Sequence, residues 1–379
     1  MKKLGLTIFF DVFALMLLGL TMVLSASSTY SVFKFDSVFY LFNSHLFKVF
    51  FGIGAIILFA FIPYEYYRRF SKPAMIVTTV LLVVTLLFAP DIKGAGRWLN
   101  LGVITIQPAD IAKLVLIIHL SVLLESKRDV IDNFRNGFIY FFIWIIVFSG
   151  LILLQPNISS GIMLMIISLT IIYAGGARFK HIFFSMLLSL AVIGVAAMIF
   201  PHSRSRIFTY INSFSNGSDL NFQVKQALYS LGSGGIFGVG IGNSMQSNLF
   251  LPEAYGDFIF AILGEEFGLI GSILILISYL VLLVCGILVA KKTKDIFGQL
   301  LAFGITISIV FYAFVNVGVT TGALPTTGLP LPFISYGGTS LIFLCISVGI
   351  LINIAFTNHL RQNGVVYVPD ENPVNRINK

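Results

Sequence analysis

Ten apolar runs divide the chain, at 7–28, 46–65, 73–89, 106–125, 137–154, 158–175, 181–200, 257–289, 298–320 and 334–357. About 20 mostly apolar residues suffice for a helix to cross the hydrocarbon core of a bilayer. Each run therefore predicts a membrane span. The third and fifth are short, and the eighth is long enough to tilt or protrude. The expected fold is all-α and polytopic: about ten transmembrane helices, with a large extracytoplasmic loop between spans seven and eight. Residues 1–361 would form the membrane domain, with that loop at 201–256, and residues 362–379 a polar cytoplasmic tail. Near 223–231 the loop carries Val224, Ala227, Leu228 and Leu231 on one side of a short helix suited to a membrane surface.

Basic residues set the orientation. With the N-terminus inside, every inner segment carries at least two Lys or Arg, and most of the 24 fall there. Both termini are then cytoplasmic, because ten is even. The N-terminal run is too long for a removable signal and reads as a retained span. Composition agrees: 57% hydrophobic, 11% charged, mean hydropathy +0.96. The net charge of +8 is topological and gives no reason to expect nucleic acid. Cys285 and Cys345 both lie in apolar runs, which offers neither a disulfide framework nor a metal pair.

Polar chemistry gathers on the outer side in four clusters. The first runs from Gly94 through Arg97 and Trp98 to Gly102, then Gln107-Pro108-Ala109-Asp110 and Lys113. Asp110 and Lys113, three apart, meet on one helix face as a local ion pair; alternatively Arg97 and Lys113 clamp an anion, a guanidinium matching phosphate oxygens with paired hydrogen bonds. The second, Gln155-Pro156-Asn157 with Ser159 and Ser160, reads as a helix cap. The third spans Gln223 and Lys225, the glycines between 232 and 242, then Leu251-Pro252-Glu253 to Asp257, Glu265 and Glu266. Its glycines fit neither a dinucleotide fingerprint nor a P-loop and permit close backbone approach. Asp257 opens span eight as an N-cap or as a carboxylate for general base work. On an unbroken helix Glu265 would lie about 80° and Glu266 about 180° around from Asp257; one is expected near the site and the other as a structural partner. The fourth cluster, Gly322 to Ser340, has three prolines in eight residues and cannot be regular helix. At membrane depth such backbone lines a cavity.

These four clusters resemble the SEDS family of bacterial envelope proteins, which contains RodA, FtsW and SpoVE. Gly96-Arg97-Trp98, Gln107-Pro108, 251–260 with Glu265-Glu266, and 325–340 carry the likeness, which covers roughly 11–356. Asp110, Asn157 and Tyr255-Gly256 depart from the usual Glu, Asp and His-Thr. The segments at 251–254 and 325–328 lean toward the FtsW and SpoVE branch. The resemblance implies an inverting glycosyltransferase that polymerises lipid II outside the bacterial cytoplasmic membrane, for division or elongation. It implies a class B penicillin-binding protein and other divisome or elongasome proteins as partners. Asp257 maps onto the family's essential acid, and Arg97 and Lys113 onto its basic residues. The candidate binding set is Arg97, Lys113, Gln107, Lys225, Glu253, Glu265 and Ser335. Asp257 would take the proton of the acceptor 4-hydroxyl, and Arg97, Lys113 or a divalent cation such as Mg2+ would neutralise the departing undecaprenyl diphosphate. No metal motif and no definite cofactor are read from the sequence. The rival readings are a lipid II transporter, which calls for a polar path across the whole bilayer, and a non-enzymatic division scaffold, which has no need of Asp257.

Overall fold

The computed structural model describes residues 1–90, 96–100, 105–215, 221–248 and 250–363. Parts of the first cluster (91–95 and 101–104) and the tail beyond 363 lie outside the described residues.

A helix stands at each of the ten expected runs: α1 (Lys2–Phe35), α2 (Tyr40–Phe61), α3 (Glu65–Phe88), α4 (Pro108–Ser126), α5 (Ile139–Leu154), α6 (Ile158–Ala174), α7 (Phe179–Ile199), α10 (Ile259–Lys292), α11 (Ile296–Thr320) and α12 (Thr339–Gln362). Eight of them, α5 being extended by a wider turn from Phe134, are long and apolar enough to cross a membrane. The other two are α6, with 17 residues, and α4, whose 19 carry Asp110, Lys113 and Glu125. The chain is a multi-pass membrane protein. α11 is its central post, packed on α4, α6, α10 and α12, whereas α2 and α7 sit at the periphery with most of their surface exposed.

Local chemistry explains several boundaries. Pro108 opens α4 where its missing N–H costs nothing. Asp295 caps α11 by accepting from Gly298 N at 2.8 Å. Asn157 caps α6 through Ser160 N at 3.4 Å, the role its sequence setting suggests.

Three expectations change. The eighth run is not one helix: Gly268 adopts φ 67°, ψ −164° and splits α10 into a short first piece, which carries Glu265 and Glu266, and a long span. Asp257 also lies ahead of the helix, whose N-cap position is Phe258. The 201–256 segment holds two helices, α8 (Pro201–Ser215) and α9 (Phe222–Ser233). The apolar side of α9 buries Val224 and Ala227 against α10 and α11 instead of meeting lipid. A small hairpin, β1 (Leu99–Asn100) with β2 (Thr105–Ile106) in antiparallel register, was not foreseen.

The glycines between α9 and α10 serve close packing. A Cβ on Gly238 would stand 2.2 Å from the carbonyl oxygen of Glu266, and one on Gly268 would stand 2.4 Å from Gly238 N. In return, Val239 N bonds Glu265 O at 2.9 Å and Leu269 N bonds Gly235 O at 2.9 Å, so the backbone groups freed by the break find partners.

Candidate functional site

Asp257 sits in a turn between Pro252 and α10. Glu253, with φ 58°, starts that turn, and its carbonyl accepts from Gly256 N at 2.8 Å. The carbonyls of Tyr255, Gly256 and Asp257 are each taken by the proline-rich segment or the helix before it. Tyr336 N donates to Tyr255 O at 2.9 Å. Ser335 Oγ donates to Gly256 O at 2.7 Å. Asn316 Nδ2 donates to Asp257 O at 2.7 Å and to Leu329 O at 2.8 Å. Tyr279 of α10 donates to Pro332 O at 2.5 Å. The third and fourth clusters therefore form one braced unit, with non-helical backbone covered by protein as its depth requires.

The charges converge on the same place. Gly328 lies between Asp257 and Arg206: an added Cβ would be 3.4 Å from Asp257 Oδ2 and 3.8 Å from Arg206 Nη1. Its φ of +73° also strongly disfavours other residues. Arg206, from α8, reaches Thr326 O at 3.4 Å, and Tyr210 one turn later donates to Ala323 O at 2.7 Å. Burial pushes the Arg97 guanidinium below its ordinary range, Arg206 adds to this, and Asp257 opposes it. Arg206 is likewise lowered by burial and supported by Asp257. Two cations thus share one carboxylate. Burial, the neighbouring Tyr30 and Tyr336 phenols and Asp257 hold the Tyr255 phenol well above its usual range, so it stays neutral.

The first cluster closes the same site. Trp98 lies against Gly338, whose added Cβ would be 3.6 Å from the indole, and Gln107 N donates to Thr339 Oγ1 at 3.1 Å. Lys113 is placed differently. It is buried with its Nζ 4.0 Å from Asp110 Oδ1 and 4.1 Å from the centre of the Tyr312 ring. Tyr312 stands one turn, roughly 6 Å, inward of Asn316 on α11, so Lys113 lies below the level of the Asp257 backbone. Lys225 is half-buried on α9 and Glu253 is half-buried in the turn.

Two members of the expected binding set, Glu265 and Ser335, are engaged within the protein, as is Glu266. Glu265 accepts from Ser230 Oγ at 2.7 Å, Ser244 Oγ at 2.6 Å and Met245 N at 3.0 Å; it ties α9 and the following loop to α10. Glu266 accepts from Ser25 of α1. Ser335 accepts from Leu331 N at 2.8 Å while donating to Gly256, so its hydroxyl is spent within the loop. Two residues outside the expected set belong to the site. Arg206 is a cation in the long segment between the seventh and eighth runs. Asn316 is an amide in an otherwise apolar run, which is rarely left there without partners.

The described residues contain no group of three His, Cys, Asp or Glu able to hold a metal. A carboxylate with guanidiniums close by is a poor cage for the divalent cation considered above.

A family model described as cell cycle protein, covering FtsW, RodA and SpoVE, matches residues 6–360. The chain is 36% identical over 358 residues to the probable peptidoglycan glycosyltransferase FtsW of Geobacter metallireducens, covering 93% of this chain and 95% of the relative. It is 38% identical over 347 residues to stage V sporulation protein E of Bacillus subtilis, covering 90% and 94%. Among solved structures it shares its fold with the Thermus thermophilus rod shape determining protein RodA (TM-score 0.69, 24% identity, 93% and 96% covered). It also matches a chain from a study of how a peptidoglycan synthase complex coordinates polymerization and crosslinking (TM-score 0.75, 22% identity, 93% and 97% covered). The chain belongs to the FtsW, RodA and SpoVE family of cell cycle proteins.

Proposed function

We propose that this chain is a peptidoglycan glycosyltransferase that joins lipid II units into glycan strands at the outer face of the bacterial cytoplasmic membrane, with Asp257 as general base. The observation that carries the reading is the braced carboxylate with Arg97 and Arg206 around it. The acceptor 4-hydroxyl gives its proton to Asp257, and its oxygen bonds to the anomeric carbon of the donor. The bond from that carbon to the diphosphate breaks, and undecaprenyl diphosphate leaves with the electron pair. An α-linked donor yielding a β link needs one inverting displacement. The leaving group is a weak base, so its need is charge stabilisation, which two fixed guanidiniums supply without reorganising. A diphosphate bound to them also cancels the positive field around Asp257, which favours proton uptake at the moment it is required.

Lys113 is paired with Asp110 below the site. Gln107, Lys225 and Glu253 are the candidates for sugar contacts. A class B penicillin-binding protein is the expected partner, a reading supported by the likeness to a synthase-complex chain. Identities of 36% to an FtsW and 38% to SpoVE favour the division and sporulation branch. The basic inner segments support cytoplasmic termini.

The test is polymerisation of lipid II by wild type and Asp257→Asn, each with its partner protein, beside a lipid-flipping assay on the same preparations. Loss of a general base lowers the rate by about 10²–10⁴-fold. Near-normal polymer from Asp257→Asn would overturn the assignment, and flipping without polymerisation in the wild type would point to transport instead.

A further inference from the structure

We propose that the glycine-rich loop between α9 and α10, residues 236–245, is seated in the outer leaflet of the bilayer, as an extension of the lipid-facing side of α10. No charged residue occurs between Lys225 and Glu253, which is unusual for a water-facing segment. Within that stretch Ile236, Phe237, Val239, Ile241 and Met245 project outward, with Phe237 81% and Met245 69% exposed. Contiguous exposed apolar surface of this kind marks a contact with lipid or protein.

Register identifies lipid as the occupant. Beyond the break at Gly268, the stretch 269–290 is roughly 33 Å long at 1.5 Å per residue, close to the roughly 30 Å hydrocarbon core. Lys291 and Lys292 end it at the inner boundary. Leu269 and Ile270 therefore lie at the outer edge of the hydrocarbon. Leu269 N bonds Gly235 O at 2.9 Å and Ile270 N bonds Ile236 O at 3.2 Å, which fixes Ile236 and Phe237 at that depth. The exposed α10 residues Leu269, Ile270, Ile273 and Leu274 continue the patch inward, so the loop and the helix present one apolar surface. The loop meets the condition for irregular backbone at such depth, because Val239 and Gly240 donate to Glu265 O and Glu266 O at 2.9 and 3.1 Å. Its consequence is positional. Glu265 joins this loop to α9, and the chain then leads directly into the Asp257 turn, so the seated loop sets the height of Asp257 above the lipid. That last step rests on the reading of Asp257 given above; the seating does not.

The experiment places a single cysteine bearing an environment-sensitive fluorophore at Phe237 or Ile241 of the full chain in lipid nanodiscs, with Cys285 and Cys345 replaced. Ile273→Cys serves as the lipid-facing control and Asp132→Cys as the exposed aqueous one. The expected result is quenching of Phe237→Cys and Ile241→Cys by nitroxide attached to lipid chains, at least half as strong as at Ile273→Cys, with little quenching by iodide. Iodide quenching comparable to Asp132→Cys would overturn the proposal by placing the loop in water. Protection from both quenchers would overturn it by showing that protein covers the patch. Failure of Asp257→Asn to abolish polymerisation would leave these readouts unchanged, so the two readings fail separately.

Discussion

Asn316 Nδ2 bridges the carbonyl of Asp257, at 2.7 Å, and that of Leu329, at 2.8 Å, tying the proposed base to the proline-rich loop through one buried amide. Leu329 is buried and Asp257 half-buried, so losing the donor leaves at least the Leu329 carbonyl unpaired, at about 1–3 kcal/mol. Asn316→Leu is expected to keep the helix, since α11 is otherwise apolar, but to loosen the turn that aims Asp257. A displacement near 1 Å is enough to cost about 10²-fold in rate. The check is lipid II polymerisation together with melting temperature: a large fall in rate with a modest fall in stability is the expected pair.

Arg206 reaches the loop at Thr326 from α8 and stands with Asp257 around Gly328. Hydrogen bonds to charged groups are worth about 1.5–3 kcal/mol, so Arg206→Ala is expected to reduce polymerisation roughly 10–150-fold. Arg206→Lys keeps the charge but not the paired geometry and should fall between. The reading also predicts that Arg206→Ala weakens inhibition by a soluble prenyl diphosphate analogue. If that inhibition is unchanged while polymerisation falls, Arg206 braces the loop and does not bind the leaving group.

The ten runs were legible because hydropathy over 20 residues does not depend on which neighbour a helix finds. The break in α10 was not, because the apolar run resumes directly after Glu265-Glu266 and passes through Gly268 without a proline or turn cluster, and the kink exists only where Gly238 from another segment presses on its backbone. For the same reason the amphipathic side of α9 was legible but its partner was not: Val224 and Ala227 are equally suited to lipid and to α10. Asp257 stood out as a carboxylate at the mouth of an apolar run, among turn residues. Arg206 did not, because only the folded chain brings α8 over Gly328. Glu265 and Glu266 differ little as letters, and the three donors that claim Glu265 come from Ser230, Ser244 and Met245, far from it in sequence.

Those three donors make Glu265 the tie between α9, the glycine loop and α10. Glu265→Ala strands the Ser244 hydroxyl and the Met245 N–H, at about 1–3 kcal/mol for each, while the Ser230 hydroxyl keeps Ala261 O at 3.0 Å; Glu265→Gln retains two acceptor sites on its single carbonyl oxygen and should cost less. The prediction is local: hydrogen exchange at 230–248 quickens at least tenfold in Glu265→Ala, with smaller change in Glu265→Gln, while α12 is unaffected. Equal exchange in wild type and Glu265→Ala would remove the assigned role.

At the end of α11 away from Asn316, Asp295 does several things at once. It caps α11 through Gly298 N at 2.8 Å, accepts from the buried Tyr64 hydroxyl, and lies 3.6 Å from Arg68 and 3.8 Å from Arg361. Arg361 also pairs with Glu65, and Arg68 with Glu125 at 2.8 Å, so α3, α4, α11 and α12 meet in one network. Removing the cap costs about 1 kcal/mol and leaving the phenol without its acceptor about 1–3 kcal/mol. Asp295→Ala is expected to lose about 2–4 kcal/mol, with Asp295→Asn retaining the cap and losing less, as read by thermal unfolding in detergent. The pH dependence adds a second check. Burial first and the Asp295 carboxylate second raise the Tyr64 phenol above its ordinary range. Its contribution is then complete below the unfolded value of about 10 and is lost as pH rises beyond it, because the unfolded chain gives up a proton that the folded one keeps. Stability should fall by up to about 1.4 kcal/mol per pH unit from this group, and the slope above pH ~10 should be shallower by that amount in Tyr64→Phe. An identical slope in the two proteins would show that folding does not raise the Tyr64 phenol.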